Sequence, residues 1–206
     1  MTRDKEFVRT VIKNEGGKGE LRRGFLAVRA GLTAGDRAVA EAALARRAQE
    51  LPELAEAGTV AAYVSVGSEP GTRALLEALR ERGVRVLLPV LLPDNDLDWA
   101  LYRGPDHLVR AARGLLEPDG PRLGPSAITS ADTVLLPGLA VDGQGLRLGR
   151  GGGSYDRALE RLTLAGAAPA RVVLLYDTEV VPHLPAEPHD QPVTAAVTPS
   201  GVHHFA

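Results

Sequence analysis

Cysteine is absent from the sequence, which excludes disulfide bonds, a thiol nucleophile and thiolate metal ligands. No apolar run approaches the roughly 20 residues that a membrane-spanning helix needs. The net charge is only −2, and a polyanion-binding surface normally needs a basic excess. We therefore expect neither a membrane nor a nucleic acid as a partner. The first residues, "MTRDKEFVRTVIKNEGG", lack the apolar core of a secretory signal, so we expect a cytoplasmic location.

The residues that are present form an ordinary mixture for a globular protein. Apolar residues make up 44% and charged residues 24% of the 206 positions, a length that suits one sizeable core. Residues 1–17 show no strong periodicity. We predict a mobile leader over residues 1–17 and one domain over residues 18–206.

Hydrophobic periodicity predicts alternating helices and strands. Helices are expected at 18–29, at 33–56 with a possible break at Pro52, at 72–82 and at 154–164. Buried strands are expected at 59–66, 84–90, 97–102, 132–138, 171–176 and 193–198. The first helix would present Leu21, Phe25 and Val28 on one stripe, and "TAGD" from Thr33 is a loose capping box for the second. Residues 103–130, rich in proline and glycine, read as a loop with one short helix.

This order of elements indicates an α/β fold. Short buried strands joined by helices usually pair in parallel and belong to a sheet covered on both faces. We therefore predict a single three-layer domain around a central, mostly parallel sheet.

The stretch "RLGRGGGSYDR" (147–157) lies between a predicted strand and a predicted helix. Glycine backbone next to a helix N-terminus offers unpaired N–H groups and the positive end of the helix dipole to an anion. Arg147 and Arg150 flank the loop and add charge. The stretch matches neither GxxxxGK[ST] nor the dinucleotide fingerprint. A flexible surface loop is the alternative, but the sharp exit into an amphipathic helix at Tyr155 favours a phosphate site.

Histidine and aromatic residues give weaker signals. The five histidines show no HxxxH or HExxH spacing, so we do not expect a zinc site. His203 and His204 lie in a tail that we expect to fray. Trp99 and Tyr102 stand at strand spacing and are expected in the core or at its rim rather than in a base-stacking platform.

The glycine stretch also carries a family resemblance. The segment "LLPGLAVDGQGLRLGRGGGSYDRAL" (135–159) resembles the signature PGLAFD-x-x-G-x-RLGxGxGYYDRxL of the 5-formyltetrahydrofolate cyclo-ligases, also called methenyltetrahydrofolate synthetases. Other segments agree in order: "KGELR" (18–22), "YVSVGSEPGT" (63–72), "GVRVLLPVL" (83–91), "GLLEP" (114–118) and "LPAEPHDQPV" (184–193). The resemblance covers about residues 18–202. Departures are Val141 in place of phenylalanine, Ser154 in place of the first tyrosine, which could alter folate stacking, and the leader.

The resemblance implies a fold like that of sugar-phosphate isomerases and CoA transferases. It also implies ATP-driven closure of 5-formyltetrahydrofolate to 5,10-methenyltetrahydrofolate, with magnesium and with release of ADP and phosphate. The formyl oxygen would attack the γ-phosphate, and N10 would then close the ring as phosphate departs. Such a transfer needs positioning and charge neutralisation more than covalent help. The partners would be a reduced folate and ATP, and we expect a monomer.

The resemblance also implies a set of site residues. The ATP-binding residues would be Lys18, Arg22, Arg147, Leu148, Gly149, Arg150, Gly151, Gly152, Gly153, Ser154 and Tyr155. The folate-binding residues would be Val64, Glu69 and Tyr155, the magnesium ligands Asp156 and Asp190, and the catalytic residues Arg150 and Tyr155.

Five of these residues also have a simpler interpretation. Lys18 and Arg22, four residues apart, would otherwise form an ordinary solvated helix face. Glu69 and Asp190 would be turn residues, and Asp156 would balance the charge of a helix N-terminus. Two other functions stay open: a sugar-phosphate isomerase-like enzyme that uses the same loop, and a non-catalytic folate- or nucleotide-binding protein. The joint presence of the two basic residues and the two aspartates favours the cyclo-ligase.

Overall fold

The computed structural model describes residues 17–187 and 190–205. The leader predicted over residues 1–17 lies outside the described residues except for Gly17, which is the N-cap of the first described helix. The helices are α1 (Lys18–Ala30), α2 (Ala34–Ala48), α3 (Pro52–Ala55), α4 (Arg73–Glu81) and α5 (Ser154–Leu164). The strands are β1 (Thr59–Ala61), β2 (Arg85–Leu91), β3 (Leu97–Leu101), β4 (Leu108–Arg110), β5 (Leu116–Pro118), β6 (Thr133–Pro137), β7 (Ala140–Asp142), β8 (Arg147–Leu148), β9 (Ala170–Leu174), β10 (Val180–Val181), β11 (Ala195–Thr198) and β12 (Gly201–His204).

The main sheet has seven strands in the order β12-β11-β9-β6-β1-β2-β3. The central strands β2, β1, β6, β9 and β11 pair in parallel, and Val60 lies opposite Val86 on one side and Thr133 on the other. The edge strands β3 and β12 run antiparallel to their neighbours. The predicted central, mostly parallel sheet is confirmed.

Helices cover both faces of this sheet. On one face α2, α3 and α4 bury Leu44, Leu54 and Leu76 against strand residues. On the other face α5 buries Leu159 and Leu162. Successive strand side chains alternate between the two apolar clusters because the side-chain period of a strand is two. The three-layer arrangement follows from this alternation.

A second, three-stranded sheet, β10-β7-β8, stands beside the main sheet and carries α1. Leu21 and Phe25 of α1 pack against Leu139, Leu148 and Val181 around this small sheet. The glycines of the stretch 147–157 begin with Gly149, directly after β8. The sheet therefore brings the first turns of α1 close to that stretch.

Some predicted boundaries are wrong, but the possible break at Pro52 in the segment 33–56 is confirmed. The helix α2 ends at Ala48, and Pro52 opens α3 at a first-turn position, where its missing N–H is harmless. The strand predicted at 59–66 ends at Ala61. The capping box is confirmed: Thr33 and Asp36 exchange both hydrogen bonds.

Residues 103–130 contain more structure than the predicted loop with one short helix. They hold the antiparallel pair β4–β5 and 3₁₀ helices at Pro105–His107, Ala112–Gly114 and Pro125–Ser130. The fraying predicted for His203 and His204 is also wrong, because both belong to β12 and pair with Ala196 and Ala195. The short strands β4, β5 and β12 each pair with a neighbouring strand, which their own periodicity does not reveal.

Both predicted core aromatics are buried. Trp99 is fully buried, and Tyr102 donates a 2.6 Å hydrogen bond to Glu77. The prediction of a core position is confirmed for each.

Candidate active site

A cavity of about 330 Å³ lies at the carboxyl ends of β1, β2 and β6. This edge of an open parallel sheet is where α/β proteins bind their ligands. Its lining includes, of the predicted site residues, Val64, Glu69, Arg147, Gly149, Arg150, Gly151, Gly152, Gly153, Ser154, Tyr155 and Asp156. Lys18, Arg22, Leu148 and Asp190 are not part of the lining.

The glycine stretch forms one wall of the cavity and has a backbone that only glycine adopts easily. Gly151 has φ +88° and Gly153, the N-cap of α5, has φ +73°. A Cβ atom on Gly151 would also stand 3.1 Å from Cζ of Arg22. The stretch therefore presents bare backbone at the N-terminus of an eleven-residue helix, the arrangement that suits a phosphate.

Two arginines support this wall from behind. Arg22 Nε donates a 2.8 Å hydrogen bond to the carbonyl of Gly149. The side chain of Arg147 is 6% exposed and donates to the carbonyl of Pro137 at 3.0 Å and to Asp156 at 3.0 Å. Burial lowers the pKa of Arg147. Its buried Nε has no hydrogen-bond partner among the described residues.

Lys18 links the start of α1 to the loop before β11. Its Nζ lies 2.7 Å from Asp190 and 2.8 Å from Glu187. Burial opposes the charge of the ammonium, but the hydrogen bonds to the two carboxylates outweigh burial and raise the pKa of Lys18. Residues 172 positions apart in the chain therefore meet beside the glycine stretch.

The two predicted magnesium ligands both lie near Arg147. Asp156 is 48% exposed and pairs with Arg147, while Asp190 is 14% exposed and pairs with Lys18. The negative charges of both carboxylates favour the charged form of Arg147 and oppose the lowering of its pKa by burial. Among residues 17–187 and 190–205, no group of three or more acidic, histidine or cysteine side chains could hold a metal by itself. A metal at this place would take further oxygen ligands from phosphate or water.

Glu69 lies in the wall of the cavity opposite the glycine stretch. Its side chain is 7% exposed, pairs with Arg150 Nε at 3.2 Å and accepts a 2.9 Å hydrogen bond from the backbone N–H of Val66. Burial raises the pKa of Glu69, and the Val66 N–H and the Arg150 charge oppose this shift. Burial and the neighbouring Glu69 also raise the pKa of the hydroxyls of Tyr63 and Tyr155.

Two further residues that line the cavity were not singled out by the sequence analysis. Glu117 of β5 is nearly buried and accepts a 3.0 Å hydrogen bond from the backbone N–H of Leu91. Arg113 is exposed at the cavity rim with φ +58°. The segment "GLLEP" contains Glu117 and could have identified it, whereas no sequence pattern singles out Arg113.

A buried ion pair braces both walls. Arg29 Nε lies 2.7 Å from Glu179, and Arg29 Nη2 donates a 2.6 Å hydrogen bond to the carbonyl of Gly138. Glu179 in turn accepts from the backbone N–H of Tyr176 at 2.9 Å. The Tyr176 hydroxyl reaches the backbone carbonyl of Glu69 at 3.4 Å.

The fold and the site define the class of protein: an α/β protein in which a glycine-rich helix N-terminus with flanking arginines and a buried carboxylate share one cavity. The model of the 5-formyltetrahydrofolate cyclo-ligase family matches residues 14–199, and the chain belongs to this family.

Individual relatives agree with the family. The chain is 50% identical over 147 residues to the 5-formyltetrahydrofolate cyclo-ligase of Mycolicibacterium smegmatis, covering 68% of this chain and 73% of the relative. It is 36% identical over 160 residues to that of Escherichia coli, covering 77% and 87%. The solved structure of Aquifex aeolicus 5,10-methenyltetrahydrofolate synthetase has a TM-score of 0.77 and 28% identity, covering 91% of this chain and 92% of that one. These matches confirm the predicted family and the predicted fold. They also confirm the enzyme class, because the family name is that of a ligase.

Proposed function

We propose that the protein closes 5-formyltetrahydrofolate to 5,10-methenyltetrahydrofolate and converts ATP to ADP and phosphate as it does so. Family membership supports the reaction. One observation carries the proposal further: the glycine stretch at the N-terminus of α5 and the buried carboxylate of Glu69 line the same cavity. A phosphoryl donor and a folate would therefore meet there.

The glycine side of the cavity would hold the phosphates of ATP. The backbone of Leu148, Gly149, Gly151, Gly152, Gly153 and Ser154 would supply N–H groups, and Lys18, Arg22, Arg147 and Arg150 would supply positive charge. Two observations support the fit. A Cβ on Gly151 would crowd the wall, and the buried Nε of Arg147 lacks a partner in the described part of the chain.

Asp156 and Asp190 would hold Mg²⁺ together with oxygens of the triphosphate. One or two carboxylates plus substrate phosphates are the usual protein environment of this ion. When bound, Mg²⁺ would neutralise phosphate charge that the two aspartates would otherwise repel. The proximity of both carboxylates to Arg147 supports their assignment to one site.

The opposite side would hold the folate. Glu69 would accept hydrogen bonds from the pterin edge, and Val64 and Leu91 would supply apolar contact. The Tyr155 hydroxyl is protonated at neutral pH, as in an ordinary tyrosine, and burial and Glu69 raise its pKa further, so Tyr155 would donate a hydrogen bond rather than accept a proton.

The chemistry would then depend on position and charge. The formyl oxygen would attack the γ-phosphorus, and the bond from that phosphorus to ADP would break. N10 would then attack the formyl carbon and lose its proton to solvent, and the bond between that carbon and the phosphate oxygen would break as phosphate leaves. Arg150, half exposed at the cavity mouth, would neutralise charge on the transferred phosphoryl group, and Tyr155 would orient the folate.

One assay tests the proposal directly. The protein is incubated with 5-formyltetrahydrofolate, ATP and Mg²⁺, and formation of the methenyl chromophore is followed by absorbance. We expect product only when all three are present. Product without nucleotide would contradict the proposal, and isomerisation of a sugar phosphate by the same preparation would favour the isomerase-like alternative.

The predicted partners and location are part of the same proposal. A reduced folate and ATP would be the small-molecule partners of a cytoplasmic monomer. Within the described ranges, no helix has the length and apolar character to cross a membrane. Size-exclusion chromatography with light scattering tests the monomer, and cell fractionation tests the location.

A further inference from the structure

Glu69 and Arg150 join the two walls of the cavity by an ion pair. Arg150 Nε lies 3.2 Å from one oxygen of Glu69, whose side chain is 7% exposed, whereas Arg150 is 50% exposed. The other oxygen of Glu69 accepts from the backbone N–H of Val66. The carboxylate is therefore fixed in the wall, while the arginine reaches it from a glycine stretch and can swing away into solvent.

Burial of the Glu69 side chain makes its carboxylate depend on nearby donors and positive charges. Burial raises the pKa of this carboxyl, and among the charged side chains that oppose the shift Arg150 acts more strongly than Arg29. A buried carboxylate that loses such a partner is strongly disfavoured. Any molecule that replaces Arg150 must therefore bring N–H donors of its own.

The pterin ring of a folate carries such donors in the same pattern. A ring N–H and an exocyclic amino group share one carbon, as the N–H groups of a guanidinium do, and both groups can face a carboxylate with two parallel donors. Arg150 Nε thus lies at the Glu69 oxygen that the backbone N–H of Val66 does not contact, where a donor of the pterin edge would compete with it.

We propose that Arg150 is an intramolecular competitor of the pterin edge: folate displaces it from Glu69 and thereby releases it to bind the phosphates of ATP. This inference rests on the proposed function, since it concerns the same two substrates. Each substrate alone must break the Glu69–Arg150 pair, but the pair breaks only once when both bind. Each substrate therefore strengthens the binding of the other, and by the same factor.

Binding measurements test this coupling without turnover. Titration calorimetry gives the Kd of 5-formyltetrahydrofolate with and without a β,γ-imido analogue of ATP, in the presence of Mg²⁺. In the wild type we expect the analogue to tighten folate binding by at least about fivefold. In Arg150→Gln we expect folate alone to bind at least as tightly as in the wild type, and the coupling factor to fall to about one.

A matched control separates this exchange from loss of positive charge. Arg113 lines the same cavity, is exposed and has no carboxylate partner within the described residues. Arg113→Gln should keep the coupling and should not tighten folate binding. Melting curves of both variants verify that they fold.

Three results would overturn the inference. They are an unchanged folate Kd when the analogue is added to the wild type, coupling retained in Arg150→Gln, and weaker folate binding by Arg150→Gln in the absence of nucleotide. Absence of coupling in the wild type, with methenyl formation intact, would refute this inference alone. Failure of the wild type to bind folate would refute the proposed function as well.

Discussion

The buried Arg29–Glu179 pair allows a quantitative prediction of stability. The two side chains are 1% and 2% exposed, so removal of either partner leaves the other polar group buried without its counterpart. Breaking a buried pair in this way typically costs about 3–5 kcal/mol. Burial opposes the charge of Arg29, but Glu179 outweighs burial and raises the pKa of the guanidinium. We expect Glu179→Gln, and equally Arg29→Met, to lower the free energy of unfolding by about 3–5 kcal/mol.

Urea denaturation and calorimetry measure this loss. In a domain of this size 1 kcal/mol shifts Tm by about 2–4 °C, so Tm should fall by roughly 6–20 °C. The control is Glu50→Gln, because the pair that Glu50 forms with Arg47 is 54% and 43% exposed. We expect that change to stay within about 0.5 kcal/mol.

A double replacement distinguishes the ion pair from simple loss of packing. Arg29→Met combined with Glu179→Leu removes both charges and should recover much of the single-variant loss. A loss of unfolding free energy in Glu179→Gln no larger than in Glu50→Gln would refute the reasoning.

The same ion pair also supports the cavity wall, because Glu179 contacts Tyr176, whose hydroxyl reaches the backbone of Glu69. We therefore expect Glu179→Gln to raise the KM for folate at unchanged ATP affinity.

Three other changes have defined outcomes. Gly151→Val and Gly153→Val each place a branched side chain at a position of positive φ. Each variant should still fold but should bind the ATP analogue at least about tenfold more weakly. Unchanged affinity in both variants would mean that the stretch is a plain surface turn. Asp156→Asn and Asp190→Asn should each lower the rate and raise the magnesium midpoint, and the double variant should lose far less than the product of the single losses because the two act as a unit. Additive losses at an unchanged midpoint would remove both from the site. Thr33→Ala removes a helix cap and should cost about 1 kcal/mol in calorimetry without changing turnover; a stability change near zero would mean that the cap is replaced by solvent.

Local features were predictable because their causes lie within a few residues. The capping box at Thr33 depends on residues three apart, and the inward stripe of Leu75, Leu76 and Leu79 in α4 depends on one helical period. The stripe of α1 shows where this reasoning fails. Leu21 and Phe25 are buried as expected, but Arg29 is buried while Val28 is only half-buried.

The failure at Arg29 has a physical cause outside the helix. An arginine is buried only where a distant partner receives its charge, and Glu179 lies 150 positions away. The same holds for Lys18 and Asp190, and for the small sheet, in which Val180–Val181 pairs with Ala140–Asp142. No local pattern encodes such pairings, because they follow from the spatial order of the strands in the two sheets.

The site itself follows from that strand order more than from its motif. β1 and β6 are neighbours in the sheet and run parallel, so the segment after β1 and the segment after β6 leave the sheet at the same edge. The first segment carries Glu69, and the second leads through the small sheet to Arg150. A carboxylate suited to a pterin and a backbone suited to phosphate are thus placed face to face by topology. The glycine motif alone predicts an anion site; only the adjacency of the two strands explains why a second substrate could react there.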